Sequence, residues 1–124
     1  MAQYMLLIYD DPTAWQSMSE EQQNAVMGEY FAYTNELREA GAFVAGDALQ
    51  PTNTAKSVRL RGGERLTTDG PFAETKEALG GYYLVDVESD EEALEWAAKI
   101  PSARYGTIEV RPIVVFPETA DASA

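Results

Sequence analysis

Tyr4-Met5-Leu6-Leu7-Ile8-Tyr9 near the start, and Gly80-Gly81-Tyr82-Tyr83-Leu84-Val85-Asp86-Val87 late in the chain, are the runs whose reading decides the fold. Successive side chains of a strand point to opposite faces of its sheet, so a strand with one solvated face alternates apolar and polar residues. Within residues 4–9 and 82–85 both alternating registers are apolar. Both faces of these strands therefore want burial.

Working outward, Asp10-Asp11-Pro12 ends the first run, and a loop containing Trp15 follows. Ser19 with Gln22 has the form of a capping box, and Val26, Met27, Tyr30, Phe31, Thr34 and Leu37 recur at helical spacing up to Gly41. The pattern predicts a helix of about twenty residues ended by a C′ glycine. Gly28 lies inside it at a cost of about 1 kcal/mol relative to alanine. Residues 42–49 read as a strand broken by Gln50-Pro51-Thr52-Asn53-Thr54.

Residues 57–61 and 65–68 flank Gly62-Gly63 as a hairpin with Glu64 as an extra residue. Lys56, Arg59, Arg61 and Arg65, four of the nine basic residues, gather there. After the strand at residues 80–87, Ser89 and Glu92 form a second capping-box pattern opening a helix to Ile100, with Ala93, Leu94, Ala97 and Ile100 as its inner stripe. Residues 107–116 alternate as a last strand stopped by Pro117.

The order is β-α-β, hairpin, β-α-β. It predicts an α+β fold of the ferredoxin-like βαββαβ plan with an inserted β-hairpin, one domain over residues 1–117 and a frayed tail over 118–124. Two helices cover one face of such a sheet. The other face, apolar as well, predicts a homodimer packed sheet against sheet, a dimeric α+β barrel. If Tyr83 lies on that contact, Tyr83→Asp splits the dimer.

The chain has 124 residues, 45% hydrophobic and 10% aromatic, enough for one core. Nine basic against twenty-one acidic residues leave a formal net charge of −12, which repels phosphate backbones and anionic membranes. Neither nucleic acid nor membrane is an expected partner. No cysteine excludes thiolate chemistry, and no histidine removes the commonest neutral-pH base and transition-metal ligand. The opening residues lack a basic stretch and the apolar run is too short for a span, so a cytoplasmic location is expected.

Asp69-Gly70-Pro71-Phe72-Ala73-Glu74-Thr75-Lys76-Glu77, followed by Gly80-Gly81-Tyr82-Tyr83, resembles the signature of the DGPF group of the YCII-related family. The likeness extends through Asp90-Glu91-Glu92-Ala93-Leu94-Glu95-Trp96-Ala97 and the strand ending at Ile113. It implies a protomer of the dimeric α+β barrel superfamily. It also implies a histidine on the first helix acting with an acid near that helix's end. The matching positions here are Tyr30 and Glu39, so the dyad is broken, since tyrosine ionises roughly three units above histidine. The DGPF group's frequent position near sigma factor genes implies association with a sigma factor system.

Gly70 and Pro71 make a rigid turn by themselves, or they present the charges of Glu74, Lys76 and Glu77 at a cleft. Asp69, Glu77 and Asp47 are the candidate acid–base residues, Asp47 only if it faces inward and is desolvated. Arg59, Phe72, Glu74, Lys76, Tyr82 and Arg111 are the candidate ligand-binding residues, the arginines suited to carboxylate or phosphate or else to neighbouring acids. Tyr4, Tyr9, Tyr30, Tyr33, Tyr82 and Tyr83 line a pocket or fill a dimer core. Asp10-Asp11 and Asp90-Glu91-Glu92 are weak metal motifs, and no metal or cofactor is expected. These features point to a homodimer binding a small polar or anionic molecule near the turn. An enzyme using carboxylate acid–base chemistry, or a regulatory partner of a sigma factor, are the alternatives.

Overall fold

The computed structural model describes residues 2–73 and 75–117; Glu74 and the tail expected at 118–124 lie outside the described residues. The elements are β1 (Ala2–Asp10), α1 (Pro12–Gln16), α2 (Glu20–Glu39), β2 (Phe43–Ala48), β3 (Lys56–Arg61), β4 (Glu64–Asp69), β5 (Ala78–Val87), α3 (Asp90–Ala98) and β6 (Thr107–Pro112). One antiparallel sheet runs β2-β5-β1-β6 and a second contains only β3 and β4. This is the ferredoxin-like α+β fold with an inserted hairpin.

The two apolar registers separate as the strand period requires. Tyr4, Leu6 and Ile8 on β1 and Tyr83, Val85 and Val87 on β5 are buried beneath α2 and α3, together with Leu37, Ala93, Ala97 and Ile100. Leu6 and Leu37 are fully buried, each contributing roughly 2 kcal/mol of transfer free energy. Tyr33 packs edge-on against Tyr83 and Trp96, with centroids 5.1 and 6.0 Å away, and its hydroxyl donates to the Trp96 carbonyl at 2.8 Å.

The opposite register forms rows across the uncovered face. Pairing aligns Asp47, Tyr82, Leu7 and Glu109 in one row and Ala45, Leu84, Met5 and Arg111 in the next. Tyr83 is thus on the helix face, not the open one; Tyr82 and Leu84 are the residues a second sheet would meet.

Several local expectations change. On α2 the buried residues are Tyr33 and Leu37, whereas Met27 and Phe31 stay 43% and 65% exposed. At 3.6 residues per turn Met27, Phe31, Thr34 and Arg38 form a stripe about a quarter turn from Leu37, so they look past the β2 edge of the sheet. Leu94 is also exposed, for the same angular reason. Ser89 caps α3 through the Glu92 N–H, but the Glu92 carboxylate accepts from Glu88 N–H instead of closing the box. Helix α3 stops at Ala98, and β6 at Pro112, which lacks a ladder donor. Glu64 is no extra residue: it pairs with Arg61, and Gly62 and Gly63, at φ 58° and 81°, make the two-residue turn.

Candidate functional site

The Asp69–Phe72 turn closes on itself. Gly70 has φ 98°, a conformation that favours glycine; its N–H donates to the Ala55 carbonyl at 2.7 Å and its carbonyl accepts the Ser57 hydroxyl at 2.9 Å. Asp69 pairs with Lys56 at 2.8 Å with both side chains mostly in water, an arrangement worth at most about 1 kcal/mol. Phe72 is exposed and carries the Arg59 guanidinium over its ring at 5.0 Å. The candidates Arg59 and Phe72 are therefore brought together, and Asp69 is brought to a base outside the candidate set. Lys76 is exposed. Glu74 is outside the described residues.

The remaining candidates divide between the two sides of the sheet. Asp47 is exposed on the open face at the β2 edge and accepts the Tyr82 hydroxyl at 2.7 Å, a bond that pushes the ionisation of Tyr82 upward; both residues also line the groove that runs beside α2. Arg111 pairs with Glu109 on that same face. Glu77 is partly buried, accepts the Thr107 hydroxyl at 2.9 Å, and acts electrostatically on Asp10.

Asp10 and its neighbours belong to a groove. A depression of about 520 Å³ runs between the Met27–Phe31–Thr34–Arg38 stripe of α2 and strands β2 and β5, with Trp15 also lining it. Ile8, Phe43, Leu49 and Leu79 supply apolar walls. Near the start of α2's inner stripe, a hydrogen-bonded series runs from the Tyr30 hydroxyl to Ser102 Oγ at 2.5 Å, and from Ser102 to Asp10 Oδ2 at a long 3.5 Å. Because the Ser102 hydroxyl turns its hydrogen to the carboxylate, Tyr30 donates to Ser102.

Burial raises the Asp10 pKa above the ordinary carboxylate value, the Ser102 hydrogen bond opposes this, and the charges of Glu77 and Asp11 add to the rise. Burial likewise pushes Tyr30 up to about 12, so its hydroxyl stays protonated and donates. Asp11 next door goes the other way: the Thr13 hydroxyl holds it down, helped by the Thr13 N–H and, less, by Lys76.

The chain brings these groups together across great sequence separation. Ser102, 3% exposed, sits in a short 3₁₀ turn, Pro101–Arg104, whose exit is fastened by Gly106 N–H to the Ser102 carbonyl at 2.7 Å. A Cβ on Gly106 would lie 2.3 Å from the Tyr9 carbonyl oxygen, so only glycine lets this link approach β1 closely. Gly46 plays the same part on β2, where a Cβ would meet the Tyr83 ring at 2.7 Å.

A shallower depression of about 320 Å³ lies between Gly70, Pro71, Asn53 and Thr75, and shares Pro12, Thr52 and Ala78 with the groove. The turn thus frames the mouth of the groove. Glu39 does not reach Tyr30: nine helical positions separate them by roughly 13 Å of rise. The acid beside Tyr30 is Asp10, which carried no signal in the sequence beyond an Asp-Asp pair ahead of a proline. Ser102, Arg38 and Phe31 were equally silent as site residues.

Among the described residues no group of three or more His, Cys, Asp or Glu could hold a metal ion, and no helix is long and apolar enough to cross a membrane.

Fold and groove together define a small α+β domain of ferredoxin-like topology with a recessed site beside its first long helix. The YCII-related domain matches residues 2–117, and the chain belongs to that family. It is 38% identical over 115 residues to an uncharacterised protein of Rhizobium meliloti (strain 1021), covering 91% of this chain and 93% of that one.

Proposed function

We propose that this protein is a homodimeric small-molecule-binding protein whose ligand lies in the groove beside α2, with the DGPF turn as the rim of its mouth. The observation that carries this reading is the groove itself: apolar walls and one carboxyl of raised pKa at the Tyr30 end. Largely apolar clefts with a few convergent polar groups are what small ligands fill. The anion site expected at the turn has less support, because Lys56 is neutralised by Asp69 and Arg59 and Phe72 are exposed and do not line the groove. Asp10 accepts a hydrogen bond from the ligand. Proton abstraction by Asp10 is the second reading, favoured by the same upward shift.

The dimer is supported by the open sheet face, where Met5, Leu7, Tyr82 and Leu84 are only partly covered by their own chain. Two sheets packed there about a two-fold axis would cover these residues.

The groove is tested by NMR. Trp15 lines it and Trp96 packs against Tyr33, so a library of small amphiphilic molecules should shift the Trp15 indole N–H and leave that of Trp96 in place. A ligand at one hundred times its Kd should add about 2.7 kcal/mol of stability. A library in which no member moves Trp15 removes the reading. Sedimentation equilibrium tests the dimer: wild type should be dimeric and Leu7→Asp monomeric, and a folded wild-type monomer refutes it.

A further inference from the structure

The groove has a second charged end. Arg38, in the last turn of α2, lines it with its guanidinium carbon 4.7 Å from the Phe43 ring centroid. None of the four ion pairs among the described residues includes Arg38. The guanidinium stands over an aromatic ring, a contact that takes up none of its N–H hydrogens. Beside it, Thr34 and Tyr83 have already spent their hydrogens. The Thr34 hydroxyl donates to the Tyr30 carbonyl at 2.9 Å, so Tyr83 donates to Thr34 at 2.8 Å. Arg38 is therefore the donor left over at this end.

The opposite end is acidic. Asp10 faces the fields of Glu77 and Asp11 there. Tyr30 and Arg38 stand eight positions apart on one helix, so the two ends are separated by roughly 12 Å along its axis. Phe31, Met27, Phe43 and Leu49 lie among the lining residues.

Building on the groove reading above, we infer that the ligand is an aryl or similarly flat apolar carboxylic acid. Its carboxylate sits on Arg38, and a hydroxyl or amino hydrogen at its far end is donated to Asp10. The reverse orientation would set the carboxylate against Asp10, Glu77 and Asp11 with only Lys76 to offset them, so the balance of charge at the two ends fixes the direction of binding. A chain of net charge −12 repels anions at long range, but at physiological salt that field is screened over about 8 Å, whereas a direct contact with Arg38 acts at hydrogen-bond distance. Planar two-point contact with a carboxylate is what a guanidinium does better than an ammonium.

The test uses phenylpropionate, para-hydroxyphenylpropionate and the methyl ester of each, titrated into the full chain and read by the Trp15 indole shift. The hydroxylated acid should bind tightest and its ester at least tenfold weaker. Arg38→Gln should remove that preference for acid over ester, and Arg38→Lys should restore it in part. Asp10→Ala, which leaves no side-chain acceptor, should remove the preference for the hydroxylated acid. Acids and esters binding equally, or an acid preference that survives Arg38→Gln, overturns the inference while leaving the groove reading standing. If neither acids nor esters move Trp15 across this series and the amphiphile library, both fall.

Discussion

The DGPF turn and the groove beside α2 share a mouth but differ in what their polar groups have left to do. At the turn, Asp69 is paired with Lys56, both polar groups of the Gly70 backbone are bonded, and Arg59 rests on Phe72, all close to solvent. In the groove, Asp10 is part-buried with its pKa raised, and Arg38, though exposed and, like Arg59, in none of the ion pairs among the described residues, faces a cleft with apolar walls. A short contiguous motif with Gly and Pro is conspicuous because it specifies backbone shape. A binding site is conspicuous only in space.

The contrast can be broken at several points. Gly106→Ala should have the largest effect, because its methyl would overlap the Tyr9 carbonyl; overpacking of this kind costs about 2–3 kcal/mol in urea unfolding. A loss inside the ordinary surface range of about 0.5 kcal/mol would show that the link bends freely and does not hold Ser102 against Asp10.

Next in size, Tyr30→Phe removes the hydrogen bond given to buried Ser102 and should cost about 1 kcal/mol. Asp69→Ala at the turn should cost no more than about 0.5 kcal/mol, since its partner is solvated in either case. If the order of these two is reversed, the turn is the stressed element and the comparison inverts.

Asp10 sharpens the comparison through pH. Its folded pKa lies above the unfolded value of 3.8, so the folded protein holds this proton more tightly than the unfolded chain. Stability from this group is therefore lost as pH rises from the unfolded value through the raised folded one, opposite to a salt-bridged carboxylate. Asp10→Asn should be more stable than wild type at neutral pH, the difference shrinking as pH falls through that window. Denaturant titrations across it measure this, and a neutral-pH loss on substitution would mean that Asp10 is a structural acceptor instead. The smallest effect on stability belongs to Phe31→Ser. Phe31 is 65% exposed, so unfolding should barely change, while binding in the groove is lost.

Much of the fold was legible in the residues. The double apolar register of β1 and β5, the capping box at Ser19, the glycine at Gly41 and the Gly62-Gly63 turn are local signals, and the structure uses each of them. The misplaced features were angular. Met27, Phe31 and Leu94 lie on apolar helix faces by spacing, yet spacing cannot say where the sheet ends beneath the helix. Tyr83 illustrates the same limit: alternation shows that Tyr82 and Tyr83 point apart, but not which of them meets the helices.

What the sequence by itself determined is the ferredoxin-like class, the family and the order and kind of elements apart from α1, because hydrophobic period, caps and glycine turns act over a few residues; the stretch around Trp15, read as a loop, is the short helix Pro12–Gln16 capped by Asp11. Only the tertiary structure decided the site. Asp10 and Ser102 are ninety-two positions apart and meet because Gly106 lets one link press against β1. Arg38 becomes a candidate anion site only because Phe43, on another element, supports it. Desolvation and convergence are properties of the packed chain, and no local pattern encodes them.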